Sequence, residues 1–272
     1  MTFHSAVDLG CQVTGVVRLG KKFYSLSTYG NMRSAILVDD SALVEQRSVS
    51  IYELHNPRDI AGCELCQFLY IADGTGDVWR VNVTDGFTVG MFVRHGNAFT
   101  LSMASQYGRL TITEFFIYNP DGRPSSVSDL SKFDRTRTFH AIEYPQPNGG
   151  GWIFAQLVFA DGSTFERVAK TNRSLYVQRS FGSPEYLINP SYLSLDKDTG
   201  HVFAVDRERS QVLVFDSELT HYRILLTSAN SSLSRVNFDS VSGLLFVVDS
   251  SDVKAFRVCN WVLCHRQLNV AE

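Results

Sequence analysis

Apolar and polar residues alternate along most of the chain. Segments such as GVVRL (15–19), KFYSL (22–26), FLYIAD (68–73), DVWRVN (77–82), RLTITEF (109–115), HVFAVD (201–206), QVLVFD (211–216), LLFVVD (244–249) and VKAFRV (253–258) show the two-residue period of a strand. No segment carries a sustained 3.6-residue period. The pattern predicts an all-β protein of many short strands separated by Gly- and Asp-containing turns.

These strands recur at an interval. NPRDIAGCELCQFLYIADGTGDVWRVNV at 56–83 aligns with NPSYLSLDKDTGHVFAVDRERSQVLVFD at 189–216 and with LSRVNFDSVSGLLFVVDSSDVKAFRV at 233–258. Weaker copies cover 13–51, 98–130 and 138–181. The aligned units start near residues 13, 57, 98, 138, 190 and 233, and a period of about 40–50 residues is propeller spacing. Each unit has about four strands and alone leaves an open edge and a half-buried face, which radial neighbours would bury. The expectation is a six-bladed β-propeller of four-stranded antiparallel blades, forming one domain over residues 1–272. Its ring could be closed by an outer strand from the tail CNWVLCHRQLNV or from MTFHSAV at the other terminus.

The repeat NPxxLxLDxxTGxVFxVDxxxxxVxVFD, clearest at 189–216 and echoed at 56–83, resembles NHL-repeat β-propellers. The second, fifth and sixth units follow it closely and the others diverge. The chain is thus similar to the propellers of tripartite-motif NHL proteins and, more distantly, to those of gluconolactonase-like hydrolases and the peptide-amidating lyase. The resemblance implies a fold strongly and a function weakly.

Composition narrows the classes. The chain has 272 residues, 44% of them hydrophobic, with a formal net charge of -3, so no global field draws it to nucleic acid or anionic lipid. No apolar run approaches the roughly 18 residues of a membrane helix, and MTFHSAVDLGCQVTG lacks the basic and apolar regions of a secretory signal. Of the five Cys, Cys63 and Cys66 form a CxxC inside a stretch that reads as strand. There, residues three apart point to opposite faces, so buried or incidental thiols are expected and not a metal or redox pair. A reducing, cytoplasmic setting is the expectation. The sequons at Asn82, Asn172 and Asn230 bear on the protein only if it is secreted.

Candidate chemistry divides between turns and channel. Asp73, Asp206 and Asp249 close the second strands, where a carboxylate accepts backbone N–H groups of a turn. They recur in blades on different sides of the disc and cannot converge on one substrate. Arg207 and Arg209 then occupy a solvated hairpin tip. Around the channel mouth the alignment gives two rings. The first is Gln12, Asn56, Asn97, Arg137, Asn189 and Ser232; the second, three residues on, is Gly15, Asp59, Thr100, His140, Tyr192 and Arg235. Their mixed chemistry suits a ligand or partner face. Asn56, Arg58, Asp59, Asn97, Thr100, Arg137, His140, Asn189, Tyr192 and Arg235 are the expected partner-binding residues, although Asn before Pro at 56 and 189 also initiates a turn.

Enzyme readings fit less well. The gluconolactonase resemblance implies a divalent cation held by carboxylates and Asn, yet Asp59 is the one carboxylate in either ring. The lyase resemblance implies a His-bound zinc, yet His55, His95 and His140 occupy three different positions in the repeat and so different depths. No GxSxG and no Cys–His pair at a recognisable offset is present. No catalytic residue, metal or cofactor is therefore assigned. A recognition scaffold for a protein or peptide is the leading reading, with a metal-dependent hydrolase or lyase as one alternative. The other is an RNA-binding propeller using Lys132, Arg135 and Arg137 of KFDRTRTFH, a small basic footprint on an acidic domain.

Overall fold

The computed structural model describes residues 1–9, 12–27, 31–38, 42–94, 100–104, 109–112, 116–119, 121–124, 136–144, 150–160, 162–183, 188–228 and 232–258, with only the backbone described at 31–38, 42–47, 102–104, 109, 112 and 116. The strands fall into six antiparallel sheets. The first contains β2 (Val13–Leu19), β3 (Lys22–Ser27), β4 (Asn31–Val38) and β5 (Ala42–Ser50). The second contains β6 (Pro57–Cys63), β7 (Phe68–Asp73), β8 (Asp77–Asn82) and β9 (Thr88–Arg94), and the third β10 (Leu101–Ala104), β11 (Arg109–Ile112) and β12 (Phe116–Tyr118). The fourth contains β13 (Thr136–Tyr144), β14 (Gly151–Ala160), β15 (Ser163–Asn172) and β16 (Val177–Phe181). The fifth is β17 (Pro190–Leu195), β18 (Val202–Asp206), β19 (Gln211–Phe215) and β20 (Tyr222–Thr227). The sixth joins β21 (Leu233–Asp239), β22 (Leu244–Asp249) and β23 (Asp252–Arg257) to β1 (Thr2–Asp8) from the other end of the chain.

The first strands of successive sheets lie side by side in a ring: β2 on β6, then β10, β13, β17 and β21, which returns to β2. The ring closes through β1, which pairs antiparallel with β23 from Thr2↔Arg257 to Asp8↔Asp252. Of the two expected closures, the one from MTFHSAV is present; the segment CNWVLCHRQLNV lies outside the described residues.

Apolar faces meet between sheets. Val17, Tyr24 and Leu26 of the first sheet pack on Ile60, Leu69 and Ile71 of the second. Phe203, Val205 and Val212 of the fifth pack on Val236, Leu245 and Val247 of the sixth. Middle strands are covered on both faces, which is why β18, β19 and β22 are buried throughout. Among the described residues no helix is long and apolar enough to cross a membrane.

Two of the three turn aspartates, Asp73 and Asp206, accept backbone N–H groups of their turns as the sequence suggested, and they also reach farther. Asp73 accepts the N–H of Gly74 at 2.8 Å, and also those of His55 at 3.2 Å and Asn56 at 2.6 Å, in the turn that leads into β6. Asp206 likewise accepts Asn189 N–H at 3.4 Å, and Asp249 holds Lys254. Asp73 and Asp206 therefore tie down both their own strand end and the lead-in turn of their sheet, whereas Asp249 pairs with a side chain of the next strand. Arg207 and Arg209 are both exposed, and Arg209 also pairs with Asp206 at 3.1 Å.

Two expectations about the cysteines fail. Cys63 and Cys66 are joined as a disulfide. The strand stops at Cys63, and a four-residue turn closes with Gln67 N–H donating to Cys63 O at 2.8 Å and Gln67 at a φ of 57°. The chain has reversed by Cys66, so opposite-face strand geometry no longer applies. With these thiols joined, the support they lent to a reducing compartment falls away.

Candidate functional site at the channel mouth

Five of the six inner strands carry a β-bulge near their start: between Val13 and Gly15, Pro57 and Asp59, Thr138 and His140, Pro190 and Tyr192, and Leu233 and Arg235. A bulge inserts an extra residue and re-aims the next side chain. Here it gathers Asp59, His140, Tyr192 and Arg235 into one contact network. These are four members of the second ring expected from the sequence.

The network is built around Asp59, which has no solvent exposure. Its carboxylate accepts Ile60 N–H at 2.9 Å and Leu101 N–H at 2.7 Å. From the fifth sheet the Tyr192 hydroxyl donates to both carboxylate oxygens, at 3.1 and 3.3 Å. The Arg235 guanidinium lies 4.7 Å over the Tyr192 ring, a cation–π contact, with Nε 3.8 Å from Asp59 Oδ1. It also donates to the carbonyls of Ser234 at 3.0 Å and Arg58 at 3.2 Å. His140 stacks on Tyr192 with ring centroids 4.0 Å apart. Its Nε2 lies 3.2 Å from Leu101 O, and its Nδ1 accepts Leu193 N–H at 3.3 Å. That pair of contacts suits a neutral ring protonated at Nε2.

Burial sets the electrostatics. It raises the Asp59 pKa to about 6, overriding the opposing pull of Arg235, the two backbone N–H groups and Tyr192. Burial also lowers His140 to about 3, with Arg235 adding to the effect and the Leu101 carbonyl opposing it. Tyr192 is raised well above its ordinary value, first by burial and then by the Asp59 charge. Together with Arg235 the three groups form a polar plug whose hydrogen-bonding capacity is largely spent on one another and on backbone.

Space at this level is tight. A Cβ on Gly15 would stand 2.8 Å from Ile60 Cγ2 and 3.2 Å from Asp59 Oδ1, so the ring admits only glycine there without displacement. Thr100, just ahead of β10, donates its hydroxyl to Phe139 O at 2.7 Å and bridges to the next sheet.

The other expected residues stand around the plug. Asn56, Arg58 and Arg137 are exposed and Asn189 is half-buried, while the Arg235 side chain retains 21% exposure. Asn97, Lys132 and Arg135 lie outside the described residues. Among the described residues no group of three or more His, Cys, Asp or Glu is placed to hold a metal. His55 is exposed on its turn, His140 is inside the plug, and His95 lies outside the described residues.

Sequence reasoning missed the far side of the plug. A cavity of about 350 Å³ is lined by His140 and Tyr192 and by Arg18 and Asp239 near the ends of β2 and β21 and Glu64 and Lys197 just beyond β6 and β17. The recurrence of charged residues at the ends of inner strands was the available signal.

No protein-family model matches the sequence, and no curated protein matches it. Solved structures do. The WD40 β-propeller domain of Doa1 superposes with a TM-score of 0.62 at 13% identity, over 94% of this chain and 96% of that one. The fold is a β-propeller. The β-propeller domain of Cps50 (Swd1) from Myceliophteria thermophila gives a TM-score of 0.59 at 11% identity, over 91% of this chain and 97% of that one. At these identities the likeness concerns the propeller's architecture and leaves its activity to be argued from the site.

Proposed function

We propose that residues 1–272 form a single six-bladed propeller with NHL-like blades, acting as a non-catalytic scaffold that binds a protein or peptide on its channel-mouth face. Six sheets and a closed ring of six inner strands support the blade count. The observation that carries the function is the internally bonded Asp59–Tyr192–His140–Arg235 plug. A catalytic centre needs groups with bonding capacity turned toward substrate, whereas here the titratable groups are spent on one another and on backbone. The plug makes the mouth a rigid floor, and the side chains presented around it are Asn56, Arg58, Arg137 and the exposed part of Arg235. Three guanidiniums on one face favour an acidic segment of the partner, since Arg binds carboxylates through charge-assisted, often bidentate bonds. Asp59, His140 and Tyr192 serve this face by positioning Arg235, not by touching the partner.

Partner recovery by quantitative affinity capture tests the reading. Alanine at both Arg58 and Arg137 should reduce recovery by at least about ten-fold, with an unchanged melting temperature because both side chains are exposed. Full recovery by the double variant would remove the partner from this face.

A further inference from the structure

The CxxC that the scaffold reading leaves unused has the layout of a thiol–disulfide exchange site. Its two sulfurs differ in access. Cys63 ends β6 with 1% exposure, in an apolar cluster with Ala61, Tyr70, Ala72 and Val78. Cys66 is half-buried, on a turn whose other members Glu64, Leu65 and Gln67 are exposed. An attacking thiolate therefore meets Cys66 and is shut out from Cys63. Exchange also needs a leaving sulfur that holds the electron pair. A thiolate is costly among apolar side chains. The Cys66 N–H, which donates to Cys63 Sγ at 3.1 Å, offsets that cost at the sulfur that must leave.

The turn closed by this bond also joins two sheets. Glu64, between the cysteines, accepts the Gly20 N–H at both carboxylate oxygens, at 2.9 and 3.1 Å, and so clasps the turn between β2 and β3. Just upstream, β6 is packed hard on β2: a Cβ on Gly62 would stand 3.2 Å from Arg18 O. Slack gained by opening the disulfide therefore falls on residues 64–66, the segment that carries the clasp.

We propose that Cys63–Cys66 is a reversible redox site, opened by a dithiol, that sets the Glu64–Gly20 clasp between the first and second sheets. One thiolate of the dithiol attacks Cys66 Sγ. A mixed disulfide forms there, the Cys63–Cys66 bond breaks, and Cys63 Sγ leaves with the electron pair and takes a proton from water. The second thiolate attacks the dithiol's own sulfur in the mixed disulfide and releases Cys66 as a thiolate, which is protonated in turn. The protein disulfide gains two electrons and the dithiol is oxidised to its disulfide. Gln67 N–H, held by Cys63 O at 2.8 Å, keeps the two sulfurs neighbours after reduction, so the bond can close again.

Peptide mapping by mass spectrometry on the full chain tests the chemistry, with dithiothreitol as the dithiol. The 63–66 bond should open in the native protein, at a rate that does not rise with urea below the unfolding midpoint. With oxidised glutathione, Cys66 in the Cys63→Ser variant should react at least about ten-fold faster than Cys63 in the Cys66→Ser variant. Hydrogen exchange at the Gly20 amide reads the clasp. Dithiothreitol should speed it at least about five-fold in the wild type and leave it unchanged in the Cys63→Ser/Cys66→Ser double variant. The proposal is overturned if the wild-type bond opens only with global unfolding, or if Cys63 reacts as fast as Cys66. It is equally overturned if wild-type Gly20 exchange is the same in both redox states, or if the double variant responds to dithiothreitol.

Discussion

Replacing Asp59 with Asn should expose a pH dependence that the wild-type plug conceals. Asp59 has a folded pKa of about 6 against an ordinary 3.8, so the folded state holds the proton more tightly than the unfolded chain does. Its contribution is fully present below about pH 4 and is lost as pH rises through 6. At ~1.4 kcal/mol per pH unit the whole swing is about 3 kcal/mol. His140 runs the other way. Its folded value of about 3 lies below an ordinary 6.5, because burial penalises the charged ring and the nearby Arg235 guanidinium adds to the penalty. Its contribution is present above 6.5 and is lost as pH falls toward 3. Between pH 4 and 6 the two slopes nearly cancel. In Asp59→Asn only the His140 slope remains, so acidification from pH 6.5 to 4.5 should cost the variant about 2 kcal/mol more than the wild type. Urea unfolding at pH 4.5, 5.5 and 6.5, extrapolated linearly to water, measures that difference. All other titrating groups are common to both proteins and drop out. Parallel stability curves for the two proteins would refute the burial-driven account of Asp59.

Two further changes probe the frame around the plug. Gly15→Ala places a Cβ against Ile60 and Asp59 and should destabilise the protein by about 1–3 kcal/mol, read as a lowered melting temperature; a neutral result would mean the inner strands can move apart. Reducing the Cys63–Cys66 bond frees a four-residue loop, for which chain entropy gives about 2 kcal/mol. Thiol titration alongside denaturation, with and without dithiothreitol, should show two thiols appearing together with that loss.

Much of this arrangement was legible in the repeat. Aligning 56–83 with 189–216 and 233–258 placed inner strands at Pro57, Pro190 and Leu233, where they begin. Extending the alignment to the weaker copy at 138–181 selected Asp59, His140, Tyr192 and Arg235 as one ring, and in the structure a bulge falls just before each of them. What the alignment could not supply was distance across the ring. Asp59 and Tyr192 are 133 residues apart, and nothing local to either says that they meet. They were therefore expected as surface contacts, and the structure instead buries them on each other. The CxxC was misread for a related reason: two-residue periodicity does not mark where a strand stops, and the chain reverses within the motif. The cavity beneath the plug was missed because its polar residues lie at the far ends of inner strands, beyond the conspicuous NP turns.

The pairing of β1 with β23 has a consequence for synthesis. Thr2–Asp8 leaves the ribosome before all five of the other sheets, yet its partner Asp252–Arg257 emerges some 250 residues later, on the order of tens of seconds at ordinary elongation rates. Through that interval the first strand is an orphan edge-former, and the growing stack of sheets is an open arc with two unsatisfied flanks. A nascent chain halted anywhere before Asp252 would therefore be a ready substrate for holding chaperones, and one completed past Arg257 would cease to be.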